Sequence, residues 1–159
     1  MKKNYKENLN KVVCDIMERT AFLFPEPVEN PDDANFGNFQ QVMATLKYSG
    51  EQDGEITLIV PVDLGIELAM NLLGEDVDES DPGDKPYDAI KEILNIIAGQ
   101  ILTDTYGEKA VFNLTAPQSV NLDHETFNAI VEKKDYALSL SDDYPIIIKM
   151  KVKEEVHEH

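Results

Sequence analysis

The order of helical and extended segments repeats once along this chain of 159 residues, and the repeat limits the folds it can adopt. A helical apolar stripe precedes two extended segments, and a second helical stripe later precedes another pair. Each unit leaves an apolar helix face and an apolar sheet face that must be covered. The sequence therefore predicts an α+β fold, in which duplicated helix and hairpin units pack their helices on one mixed or antiparallel sheet.

The first unit opens with a helix predicted over residues 5–24. Pro25 and Pro27 stop this helix, and the polar stretch to Asn38 is predicted to be a connecting loop. Its apolar residues recur at helical spacing and are Leu9, Val12, Val13, Ile16, Met17, Leu23 and Phe24. One face of this helix is therefore expected to be buried.

A hairpin and a second helix complete the first unit. Strands are predicted over 39–48 and 55–60, because alternating apolar residues flank a glycine-containing turn. A helix is then predicted over 64–73, with Asp63 as its N-cap and Gly74 closing its C-terminus.

The second unit follows an acidic stretch at 75–85, which is predicted to be a solvated linker because its spacing does not fit a calcium loop. A helix is predicted from Pro86 to about Thr103, with Gly107 just beyond it. Extended segments are predicted over 111–114, 119–122, 136–140 and 146–152. The last two form a second hairpin, and 146–152 is either an edge strand available for self-association or a central strand.

The third helix separates apolar from polar residues. At 3.6 residues per turn, one side carries Ile90, Ile93, Leu94, Ile97 and Ile101. The opposite side carries Asp88, Glu92, Asn95 and Gly99, and Ile96 and Leu102 are predicted to flank it. Burial of the first set would leave the second for water or a partner.

Two residues on the polar side are poor helix formers. A mid-helix glycine costs roughly 1 kcal/mol relative to alanine, and asparagine is also unfavourable at an exposed helix position. Glu92 and Asn95 could still be ordinary surface residues, since Glu-x-x-Asn occurs by chance in many helices. The two unfavourable choices indicate that a partner could use this face.

Charge and composition make several classes of function unsuitable for this chain. The formal net charge of −17 would repel nucleic acid and anionic membrane surfaces. No apolar run suits a signal peptide or a membrane span, so a cytoplasmic location is predicted. Cys14 is expected to be a small helix residue, and no metal site is predicted. One domain is predicted over 1–159, with an ordered core over about 5–153 and a charged tail over 154–159.

The string Asp88-Ala-Ile-Lys-Glu92-Ile-Leu-Asn95-Ile-Ile-Ala-Gly99 resembles the Glu-x-x-Asn helix of the CheC, CheX and FliY chemotaxis phosphatases. The resemblance extends to residues 54–61, 71–74 and the closing strands. CheC carries this motif on two helices and CheX only on the second. Here the equivalent positions of the first helix are Asp15, Glu18 and Phe22. The pattern is thus similar to CheX, and the first copy is interpreted as a degenerate repeat or an interface.

The resemblance implies a phosphatase that hydrolyses the aspartyl phosphate of a CheY-like phosphorylated receiver domain. Asn95 would position the attacking water, Glu92 would anchor the helix to a partner lysine, and Asp88, Ile96 and Gly99 would support docking. The chain would need no cofactor of its own, because the receiver would supply Mg²⁺. A homodimer is also expected. Alternatives are a non-catalytic receiver-binding or flagellar-switch module and a self-associating structural domain.

Overall fold

A computed structural model describes residues 2–153 of the chain, with side chains from Tyr5 onward. Their elements, in chain order, are α1 (Lys2–Ala21), β1 (Glu26–Val28), a short 3-10 helix (Pro31–Asp33), β2 (Gln41–Gly50), β3 (Gly54–Pro61), α2 (Val62–Leu72), α3 (Lys85–Tyr106), β4 (Phe112–Leu114), β5 (Gln118–Leu122), α4 (His124–Lys133), β6 (Ala137–Ser141) and β7 (Tyr144–Val152). The predicted tail at 154–159 lies outside the described residues.

The strands form one antiparallel sheet in the order β1-β6-β7-β3-β2, and β2 then pairs with both β4 and β5. The two predicted hairpins, β2-β3 and β6-β7, lie side by side because β3 pairs with β7 at the centre. Each unit also lends one strand to the hairpin of the other, since β1 pairs with β6 and β5 with β2. This exchange is the arrangement expected of two repeated units, and it confirms the predicted α+β fold.

Helices pack on both faces of the sheet, fully on one face and at one end of the other. Helices α1, α2 and α3 pack on one face, against the alternate residues of β2 and β3 that include Val42, Leu46 and Leu58. Helix α4 packs on the other face, where Phe127 lies in a smaller cluster with Ile59. None of the helices within residues 2–153 is both long and apolar enough to cross a membrane.

Three elements were absent from the sequence prediction, and one of them is the short 3-10 helix, which lies within the predicted loop. Helix α4 has few apolar residues to reveal it, although the side chain of Asp123 accepts a hydrogen bond from the Thr126 backbone N–H at 2.7 Å and caps its first turn. Strand β1 is three residues long and contains a proline, and it is extended because it pairs with β6. Only its tertiary pairing distinguishes it from a loop.

The prediction that the first helix reaches residue 24 is wrong. Helix α1 ends at Ala21, because Phe22 adopts a left-handed conformation with φ 56°. The Leu23 N–H then donates to the Met17 carbonyl, and Asn71 of α2 donates its side-chain N–H to the Ala21 carbonyl at 2.9 Å. Leu23 is buried by this turn, whereas Phe22 and Phe24 are exposed to solvent.

The predicted N-cap of α2 is also wrong, while its C-terminus is confirmed. Pro61 occupies the N-cap position, and no side chain caps the helix there. Asp63 lies one residue inside the helix, where its carboxylate still faces the positive end of the helix dipole. Gly74 follows the last turn with φ 64°, a left-handed conformation that favours glycine.

Strand β7 is central, so self-association through its edge is excluded. It pairs with β6 on one side and with β3 on the other. Beyond the end of β6, the Tyr5 hydroxyl of α1 donates to the Met150 carbonyl and accepts from the Met150 N–H. These contacts satisfy the backbone of Met150, the first residue of the β7 edge beyond β6 that faces this side.

Candidate functional site

The candidate site lies on α3, which its buried face holds in place. The apolar residues predicted for this face are 0–2% exposed in the structure. Close packing against α2 adds a further constraint at Gly65, where a Cβ atom would lie 2.7 Å from Ile90 Cδ1 and 3.0 Å from the Pro86 carbonyl oxygen. A larger residue would push the two helices apart, so this glycine serves the internal contact.

Both ends of α3 are also secured. Near its start, the Tyr87 hydroxyl donates to the side-chain oxygen of Asn121 on β5 at 3.0 Å. At its end, the Gly107 N–H donates to the Thr103 carbonyl at 2.9 Å, with φ 94° at the glycine. The helix begins one residue before and ends about three residues after the predicted limits. Its middle turns are held between these two ends as part of one long, rigid helix.

The opposite face of α3 presents the predicted polar residues. Asp88, Glu92 and Asn95 are exposed, and Gly99 and Ile96 are partly exposed. Leu102 was predicted to flank this face, but it is 3% exposed and belongs to the core. The structure thus places the five proposed site residues along one accessible strip of the helix, which is called the α3 strip below.

The polar side chains of the α3 strip differ in what they already contact. Asp88 Oδ1 lies 3.7 Å from Lys91 Nζ, a loose ion pair one turn apart. Within residues 2–153, the side chains of Glu92 and Asn95 make no hydrogen bond or ion pair. Their carboxylate and amide groups are therefore available to an incoming partner.

Close packing, which explains the glycine at position 65, does not explain the glycine at position 99. Its backbone is helical, and a Cβ atom added to it would meet no atom within 4 Å. Alanine would fit in the same space and would favour the helix by roughly 1 kcal/mol. Nothing within the described residues therefore requires the missing side chain.

The equivalent residues of the first unit do not form a second copy of this surface. Asp15 and Glu18 are exposed on α1, but Phe22 lies past the end of that helix. Burial raises the pKa of the neighbouring Cys14 thiol, and the charge of Asp15 raises it further. A raised pKa keeps the thiol protonated and unreactive, as expected of a small helix residue.

Among residues 2–153, no group of three or more His, Cys, Asp or Glu side chains could hold a metal ion together. The α3 strip contributes two carboxylates that lie one turn apart on a convex surface. Such a surface has the chemistry to position a water molecule or to bind a cation on another molecule.

The sequence matches the family model of the chemotaxis phosphatase CheX over residues 42–141. These residues include β2, α2 and the whole of α3. A comparison with curated proteins finds no match.

Several solved structures share the fold. The chemotaxis protein CheX of Vibrio vulnificus superposes with a TM-score of 0.68 at 14% identity, over 96% of this chain and 99% of that one. CheX of Borrelia burgdorferi, solved in complex with CheY, BeF₃ and Mg²⁺, gives 0.62 at 18% identity, over 93% and 97%. A CheC-like superfamily protein from a Shewanella species gives 0.63 at 17% identity, over 93% and 96%.

Proposed function

The chain belongs to the CheX family of chemotaxis phosphatases, and from this premise we propose that it accelerates hydrolysis of the aspartyl phosphate on a CheY-like receiver domain. The observation that carries the proposal is the pair of exposed, uncommitted side chains, Glu92 and Asn95, one turn apart on a helix that its buried face holds rigid. The CheX of Borrelia burgdorferi forms a complex with CheY, which supports a receiver as the partner.

Asn95 is proposed to position the attacking water. Phosphoryl transfer requires a nucleophile held in line with the leaving oxygen and requires little covalent chemistry from the protein. The Asn95 amide both donates and accepts hydrogen bonds, and it adds no negative charge beside a phosphoryl group. Asn95 is exposed near the middle of α3, where the helix presents a convex surface, so its amide could enter a cleft on the receiver.

Glu92 is proposed to anchor the same helix. It precedes Asn95 by three residues, so both side chains lie on one side of α3. Its carboxylate has no partner among the described residues and could form a charge-assisted contact with a lysine of the receiver. Asp88, Ile96 and Gly99 complete the contact strip around the pair.

The proposal assigns no cofactor to this chain. Mg²⁺ would be bound by the receiver, where it neutralises the charge on the phosphoryl oxygens. The chain would contribute only orientation and hydrogen bonding from α3. We also propose that it acts in the cytoplasm, as a protein whose substrate is a signalling domain.

A homodimer is proposed as well, through a sheet edge other than β7. The described sheet ends at β1 on one side and at β4 and β5 on the other. Val120 of β5 is 51% exposed, so this strand offers both an apolar side chain and a sheet edge for pairing. Sedimentation at micromolar concentration would test it, and a monomer there contradicts the dimer.

The decisive test of the function is phosphate release from a phosphorylated receiver, measured with and without the protein. An increase that is proportional to protein concentration and saturates with receiver supports the phosphatase. Binding without an increase would identify a non-catalytic receiver-binding module. Neither binding nor an increase, across the receivers of the source cell, would favour a self-associating structural domain.

A further inference from the structure

We propose that the outer face of the sheet carries a docking surface for an acidic polypeptide segment, separate from the α3 strip. The surface is formed by four lysines and is called the lysine face: Lys47, Lys149, Lys151 and Lys153. It lies on the side of the sheet opposite to helices α1, α2 and α3.

The strand register places these lysines together. Lys47 of β2 is opposite Glu55 of β3, and Glu55 is opposite Lys151 of β7, so the three side chains form one row across the sheet. Their strand neighbours Leu46, Ile56 and Met150 point toward the helices, so this row points outward. Lys149 and Lys153 flank Lys151 at alternate positions and share its direction.

Helix α4 leaves this half of the outer face open. The cluster beneath α4 contains Ile59 and Ile147, with Met43 packed against it, and these residues belong to the other end of the same strands. At the lysine end, a groove of about 410 Å³ is lined by residues that include Lys47, Thr115, Lys151 and Lys153. The Lys153 N–H donates to the Asp53 carbonyl at 2.8 Å, which extends the strand pairing to this residue.

The charge of the lysine face opposes that of the molecule. Among residues 2–153, none of its four ammonium groups has an ion-pair partner. Asp53 and Glu55 are the acidic residues of the groove, and the Asp53 carboxylate already accepts a hydrogen bond from the Gly50 N–H. The three lysines that line the groove, Lys47, Lys151 and Lys153, against these two acids give a local charge of +1. The rest of the chain carries a formal charge of −18, which gives the total of −17.

This charge pattern favours a short acidic segment. Lys149, Lys151 and Lys153 recur every second residue, which separates their Cα atoms by roughly 6.6 Å. Carboxylates at alternate positions of an extended segment have the same spacing, and such a segment fits along the groove. A long polyanion such as nucleic acid would extend from the patch onto surface of its own sign.

The lysine face and the α3 strip lie on opposite sides of the sheet and its helix layer. One receiver domain inserted on α3 therefore leaves the lysine face accessible to a second molecule. An acidic segment bound there would hold the phosphatase near a chosen location without occupying the site that contacts the receiver.

The test is fluorescence anisotropy with a labelled peptide in which glutamate alternates with serine. At about 0.15 M ionic strength, where a Debye length of ~8 Å screens the distant acidic residues, the parent protein should bind it, and a glutamine version should not bind. Lys151→Gln with Lys153→Gln should weaken binding about five- to tenfold. A matched pair elsewhere, Lys11→Gln with Lys109→Gln, removes the same charge from two exposed lysines and should change binding less than about twofold.

Three results would overturn the proposal: no binding by the parent at about 0.15 M ionic strength, equal losses in the two variant pairs, or tighter binding of an oligothymidylate of equal charge. Receiver dephosphorylation by the Lys151→Gln, Lys153→Gln variant should equal that of the parent. A slower rate would show that the lysine face belongs to the phosphatase site, which contradicts its separate role. Failure of the phosphatase assay in the parent would leave the peptide result unaffected.

Discussion

Helices α1 and α3 occupy equivalent places in the two units. At the equivalent positions Phe22 and Gly99, however, each helix carries the residue whose backbone preference fits the other position better. Phe22 adopts a left-handed backbone, where glycine is favoured, and is 70% exposed. Gly99 has a helical backbone in open space, where almost any other residue is favoured. Local backbone preference therefore explains neither residue.

The two helices are alike on their buried faces and differ on their outer faces, and the proposed docking helix is α3. The buried faces agree, because Val13, Ile16 and Met17 of α1 correspond to Ile90, Ile93 and Leu94 of α3 and all are in the core. The outer faces diverge, because α1 stops at Ala21, before the equivalent of Gly99. The core constrains both helices, and under the proposed function a partner constrains only the second.

The largest expected effect is a difference in phosphatase activity between a substitution on the outer face of α3 and the equivalent substitution on the outer face of α1. Asn95→Ala should lower the acceleration of receiver dephosphorylation about 100-fold, since removal of one positioned hydrogen-bonding group typically costs that much. The equivalent change on α1, Glu18→Ala, should alter the rate less than twofold. Phosphate release measured on both variants checks this.

Thermal unfolding provides the control, because both residues are exposed and neither variant should lose stability. Unchanged turnover in Asn95→Ala, or an equal loss in Glu18→Ala, would remove the distinction between the helices.

A larger side chain at Gly99 should obstruct the receiver without disturbing the fold. Gly99→Leu places its side chain in space that no described atom occupies, so helix stability should be equal to that of the parent or higher. Titration with an activated receiver should show affinity at least about tenfold weaker, because two surfaces in close contact cannot accept the added volume. If affinity and stability both match the parent, the α3 strip is not the docking surface.

The two mid-helix glycines should respond in opposite directions to alanine. Gly99→Ala should raise the free energy of unfolding by up to about 1 kcal/mol. Gly65→Ala gains the same helix propensity but places a Cβ atom against Ile90 and Pro86 of α3, and overpacking typically costs about 1–3 kcal/mol. Urea unfolding should therefore show Gly65→Ala to be the less stable variant by roughly 1–3 kcal/mol, and the reverse order would contradict the packing argument.

The smallest expected effect concerns Phe22. Phe22→Gly should relieve the left-handed backbone and lose little burial, although glycine also adds entropy to the unfolded chain. We expect a gain of a few tenths up to about 1 kcal/mol in calorimetry. A clear loss of stability would mean that the exposed ring makes a contact worth more than the strain, which would make the end of α1 a structural feature in its own right.

The elements predicted well are those with a long periodic pattern. Helix α3 was placed within a few residues because its apolar stripe, Pro86 and Gly107 all agree. The elements missed were short and mostly polar, such as α4, whose one buried apolar side chain is Phe127. The secondary structure of such segments depends on their packing and strand pairing with the rest of the fold.

The sequence was enough to place Glu92, Asn95 and Gly99 of the candidate site on one side of α3, because helix geometry alone brings them together. Whether a flanking residue is accessible depends on neighbouring elements, and Leu102 was misplaced for that reason: it enters the core. The lysine face went unnoticed because Lys47 and Lys151 are distant in sequence and meet only through the pairing of β2, β3 and β7.

The sequence by itself determined the two repeated units, the buried stripe of α3 and the polar strip opposite to it, since each follows from a period of two or 3.6 residues within one segment. The tertiary structure alone decided that β7 is central, that α1 ends at Ala21 and that Lys47 joins the lysines of β7 on one outer face. These depend on pairing and packing between segments far apart in the chain, for which a local pattern carries no information.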